Sequence, residues 1–126
     1  MLTAENYRTL IHALADDTIE GGVRQAMLCF LELDSDSDST FSVTVPSRGE
    51  LKNPLDIRKD GKHLYGTILA RNWVSWYFRK PAFDSGELDL DETLSHFEID
   101  APSKYGEIKV KVSNAQEARR VIAWIS

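Results

Sequence analysis

Glu107, Ile108 and Lys109 reproduce the acid-x-Lys spacing found in many metal-dependent nucleases. On a strand, an acid and a lysine two positions apart point the same way. Beside a further acid such as Asp100, they can hold Mg²⁺ and the phosphate under attack. Lys111 continues that face, and three-residue matches arise by chance in most chains, so the plainer reading is a solvated strand face behind Ile108, Val110 and Val112. Asp34, Asp36 and Asp38 have the alternate spacing that opens a calcium loop. Ser39, however, stands where that loop needs glycine, and Val45 where it needs the bidentate glutamate. His12, His63 and His96 lack metal-ligand spacing, no Gly-x-Ser-x-Gly elbow occurs, and Gly61 and Gly66 form no phosphate loop. The single cysteine, Cys29, sits in an apolar run and reads as a small buried hydrophobe. The expectation is no catalytic residue, no metal and no cofactor.

Aromatic and charged residues offer more. Residues 71–80 alternate as a strand does, with Val74, Trp76 and Phe78 in one phase and Arg71, Trp73, Ser75, Tyr77 and Arg79 in the other. The first phase suits a core. The second sets rings between guanidinium groups, which makes a stacking platform for bases or an anchor surface for a protein. The alternative is that Trp73 and Tyr77 pack beneath a loop or short helix while the arginines reach out to water. The run 84–93 is a second candidate surface. Its Asp84, Glu87, Asp89, Asp91 and Glu92 can meet a basic partner or imitate a phosphate backbone, or can simply be a solvated segment.

The elements that position these residues follow from periodicity and punctuation. Thr3 can cap a first helix, stapled by Leu2 and Tyr7, with Tyr7, Leu10, Ile11 and Leu14 on one face and Gly21-Gly22 at its end. Residues 23–33 form an unbroken apolar run, read as a buried strand that a Ser/Asp loop joins to the alternating strand Phe41, Val43, Val45. Asp60-Gly61 signals a tight hairpin between 56–59 and 62–69, and Arg71-Asn72 a second turn before 73–79. Pro81 ends that strand, 91–97 forms a short helix and 107–112 a last strand. Ser113 and Gln116 suggest a capping box for a final helix with Ala118, Val121, Ile122 and Ile125 inward. The predicted core is Leu10, Leu14, Leu28, Phe30, Val43, Ile68, Trp76, Phe78, Val110 and Ile122. The expected fold is α+β: a meander sheet of about five to six antiparallel strands, with N- and C-terminal helices packed on one face.

With 126 residues and 42% apolar content, the chain is expected to be one domain, 1–126, with a core that needs no staple. It lacks the composition of a signal peptide or a membrane span, and its lone cysteine fits a reducing compartment, so a cytoplasmic location is expected. The net charge of −5 disfavours nucleic acid and anionic membrane as general partners. Residues 46–80 are the exception, with eight basic against three acidic residues. In size, acidity and domain class the chain is similar to bacterial toxin-immunity and phage-defence accessory proteins, without matching residues. The expected function is a non-catalytic protein-binding domain of the immunity or inhibitor type, and a homodimer is a further option. The alternative is a nucleic-acid-binding accessory module of a defence or restriction system, using the basic aromatic hairpin 58–80. The small metal-dependent nuclease ranks below both.

Overall fold

Alternating apolar residues between positions 41 and 112 build a five-stranded antiparallel meander, ordered β1-β2-β3-β4-β5. In the computed structural model, residues 5, 8, 12, 15, 19–34, 40–44, 54–100 and 106–126 are described. The strands are β1 (Phe41–Thr44), β2 (Pro54–Lys59), β3 (Lys62–Leu69), β4 (Val74–Phe78) and β5 (Ile108–Val112). Among the fully described segments the α-helices are α1 (Gly21–Leu31), α2 (Lys80–Asp84), α3 (Leu90–His96) and α4 (Ala115–Ile125). The α+β class, the antiparallel sheet and the placing of helices agree with the sequence reading.

Val74, Trp76 and Phe78 face inward, opposite Leu69, Thr67 and Tyr65 on β3 and Val112, Val110 and Ile108 on β5. Phe30 of α1 stacks on Trp76 with centroids 4.8 Å apart, and Tyr65 stacks on the same ring at 5.4 Å. Ala118, Val121 and Ile125 of α4 join the same buried cluster. Lys59 ties α4 to the sheet by donating to the Ile125 carbonyl at 2.8 Å.

The expected strand over 23–33 is corrected: 21–31 is helical. Its buried residues are Val23, Ala26, Met27, Phe30 and Leu31, the i, i+3, i+4, i+7, i+8 stripe of a helix. The apolar run hides this stripe because Leu28, which points outward, is also apolar and is 39% exposed. Composition agrees with the helix, since Gln, Ala, Met and Leu are good helix formers and Val23 is the only β-branched residue. Gly21-Gly22 thus starts a helix. A Cβ at Gly22 would lie 2.6 Å from the Ser113 carbonyl, so glycine there lets α1 approach the loop before α4.

Five further expectations are corrected, the first two being that Cys29 and Ile122, expected to be buried, are only partly buried against the core. Leu28 is not core, for the reason just given. Ile68 is only half-buried, because Tyr65, Thr67 and Leu69 take the inward phase of β3 against Trp76 and its neighbours. The final helix is capped one residue later than expected. Asn114 accepts from the Glu117 N–H at 2.9 Å, and the Glu117 carboxylate accepts from the Ser113 N–H at 2.8 Å. Asn114, with φ −156° and ψ 171°, has the extended backbone a cap requires, and its amide oxygen reaches the third residue on.

The Asp60-Gly61 turn is as expected, both residues having positive φ (52° and 79°). The first-helix signals at Leu2, Thr3, Tyr7, Leu10, Ile11 and Leu14 lie outside the described residues, as do Asp36, Asp38, Ser39 and Val45. Glu5, Arg8 and His12 are helical and exposed.

Candidate functional site

Every second residue of β4 and its flanks turns away from the core. Trp73, Ser75, Tyr77 and Arg79 lie half-buried on the outer side of the sheet. Register then decides their company. Tyr77 lies between Gly66 of β3 and Lys109 of β5, and Ser75 between Ile68 and Lys111. The Lys111 ammonium sits 4.4 Å above the Trp73 ring centre, and the Lys109 ammonium 5.5 Å from that of Tyr77. Each pair is a cation held on an aromatic face. The Trp73 indole N–H donates to Ser75 Oγ at 3.1 Å, which fixes the ring.

The other half of this face depends on an irregularity. The β2–β3 register shifts between Ile57 and Arg58: Ile57 pairs with Tyr65, but Arg58 pairs with His63. Leu64 is the extra residue, and a bulge of this kind re-aims the side chains beside it. His63 is thereby placed next to Asp56, with Nε2 3.2 Å from the carboxylate. Arg79 donates to the His63 carbonyl at 2.6 Å and lies 4.0 Å from the Glu107 carboxylate. Asp56, His63, Gly66, Tyr77, Arg79 and Glu107 are among the residues lining a shallow hollow of 230 Å³. Burial pushes the His63 pKa below its ordinary value. Asp56 pulls it up, and the Arg79 and Arg58 guanidiniums add to the lowering. Burial raises the Tyr77 hydroxyl, helped by the nearby Glu107 and Asp100 carboxylates.

Of the residues singled out from sequence, Trp73, Tyr77 and Arg79 share this face. Arg71 is exposed in the turn before β4. The acids lie elsewhere, on and around α2 and α3, and all five are exposed. Three are engaged locally: Asp84 with Lys80 at 3.7 Å, Glu87 with Lys59, and Asp89 as the N-cap of α3, accepting from the Glu92 N–H at 2.9 Å. Asp91 and Glu92 form no ion pair among the described residues. Leu90 and Leu94, one turn apart on α3, are exposed beside them.

Sequence reasoning missed Asp56, Arg58, His63, Gly66 and Lys111 as members of the face. The strict alternation of 107–111 signalled Lys109 and Lys111 as one polar row, but only the β4–β5 register sets that row against the rings. Asp100, Glu107 and Lys109 are neighbours, the Asp100 N–H donating to the Lys109 carbonyl at 2.9 Å. Among the described residues no group of three His, Cys, Asp or Glu is placed to hold a metal ion. No helix among them is long and apolar enough to cross a membrane. No protein-family model, curated protein or solved structure matches the chain.

Proposed function

We propose that this chain is a non-catalytic protein-binding domain whose partner sits on the outer face of β4 and β5. One observation carries the reading: Trp73 and Tyr77 lie on the side of the sheet opposite the core, each with an ammonium on its ring. Half-exposed aromatics among cations are typical of binding hot spots. Asp91, Glu92 and the exposed Leu90 and Leu94 form a second surface, suited to steering a basic region of the same partner. A small acidic binding domain of this kind fits an immunity or inhibitor role in a bacterial toxin or defence system.

A nucleic-acid reading has one observation in its favour, the basic side chains Lys109 and Lys111 on the two rings, with Arg79 two residues from Tyr77. It ranks second because the ammonium groups occupy ring faces on which bases would have to stack.

The test is the double variant Trp73→Ala/Tyr77→Ala. Neither ring belongs to the core, so the fold is retained by circular dichroism and thermal melting, and capture of the cellular partner is lost. Trp76→Ala, on the opposite phase of the same strand, costs ~3–5 kcal/mol of stability. Unfolding of the double variant would make the rings structural and end the proposal. Loss of capture on nuclease treatment would move the assignment to nucleic acid.

A further inference from the structure

We infer that the β4–β5 face receives an extended acidic segment of a protein, with carboxylates on alternate residues meeting Lys109 and Lys111. This rests on the reading of that face as the binding surface. The two lysines are two positions apart on one face of β5, which separates them by about 7 Å. Neither forms an ion pair among the described residues. Each is instead laid on a ring of the neighbouring strand. A lysine side chain normally loses much rotamer freedom when it binds an anion. Here the ring already limits where the ammonium sits and leaves N–H donors for a carboxylate.

Alternate side chains of an extended peptide recur at the same spacing as those of β5, so acids at positions i and i+2 match the two ammonium groups in register. The row also sets a limit. Glu107 continues the line of Lys109 and Lys111 along β5 and lies near Arg79. A third alternate acid reaching that position meets a carboxylate, so the residue there must be neutral or basic. The same feature disfavours a polyphosphate chain, whose charge continues at every step. The net charge of −5 gives anions no long-range attraction, so selection depends on this local pattern.

Fluorescence anisotropy with labelled synthetic peptides tests the inference on the full chain. One peptide carries two aspartates separated by a threonine, a second carries them adjacent, and a third extends the alternation to three. Labelled oligothymidylate is the nucleic-acid probe. The first peptide is expected to bind about tenfold tighter than the second. Lys109→Gln/Lys111→Gln abolishes that preference with the melting temperature near wild type, and Glu107→Gln improves binding of the third peptide. No binding of the first peptide, equal binding of the first two, or a preference that survives the lysine substitutions overturns the inference. Tighter binding of oligothymidylate with a steep salt dependence also overturns it. If Trp73→Ala/Tyr77→Ala abolishes capture of the cellular partner while the lysine substitutions leave capture unchanged, the face remains the binding surface and only the acidic-segment assignment fails.

Discussion

His63 reaches the outer face because one extra residue, Leu64, interrupts the β2–β3 register. Burial then holds the imidazole below its ordinary pKa despite Asp56. A histidine protonated more readily in the unfolded chain than in the native one stabilises the fold only while it is neutral in both states. Its contribution is complete above about pH 6.5 and falls as the pH drops from there toward the lower native value, because the unfolded chain takes up the proton first. Thermal melts between about pH 7.5 and 5.5 should show this decline, and His63→Gln should make it shallower. An unchanged slope in the variant would assign the decline to other groups. The pairing of His63 with Asp56 had no signal in the sequence. Strict alternation counted from the Asp60-Gly61 turn does not show where a bulge falls. By contrast, Trp73, Tyr77 and Arg79 were legible, because 74–78 has no irregularity and its two phases differ in polarity.

At the scale of the element, α1 is where periodicity was hardest to read. An outward leucine among inward apolar residues makes a helix look like a buried strand, and Leu28 occupies that position. The helix makes a pair of substitutions diagnostic. Leu28→Lys should change stability by less than about 0.5 kcal/mol, since its side chain already meets solvent. Met27→Lys buries an unpaired cation where 1% of the residue is exposed and should prevent folding at ordinary temperatures. Equal damage from both, measured by urea unfolding, would contradict the helix. Elements with unambiguous punctuation were legible: Asp60-Gly61 set β2 and β3, Pro81 closed the strand before α2, and the alternation of 108–112 gave β5. The final helix was also legible, but its cap was assigned to Ser113 although Asn114, one residue on, offers an equally good acceptor.

At the scale of the whole molecule, charge is distributed by architecture. The outer face of β4 and β5 presents Lys109, Lys111 and, at its end, Arg79, while the acids of 84–93 lie on and around α2 and α3. A chain of net charge −5 therefore carries a local basic face. The same layout bears on Asp100, Glu107 and Lys109. Glu107 lies near Arg79, and among the described residues no three His, Cys, Asp or Glu side chains are placed to hold the metal ion such chemistry needs. We expect no cleavage of single- or double-stranded DNA or RNA with Mg²⁺ or Mn²⁺. Cleavage that vanishes on Glu107→Ala would make the chain a nuclease.

The alternation along β4 has an evolutionary consequence. Val74, Trp76 and Phe78 hold the core, while Ser75 and Tyr77 face outward, so on the proposed reading stability and recognition are written into interleaved letters of one short word. A change in partner can be met by substitution at the outward letters, together with Lys109 and Lys111 across the strand, at little cost to folding. On the proposed reading, the fold can therefore outlast a change of partner that is met at those outward positions alone.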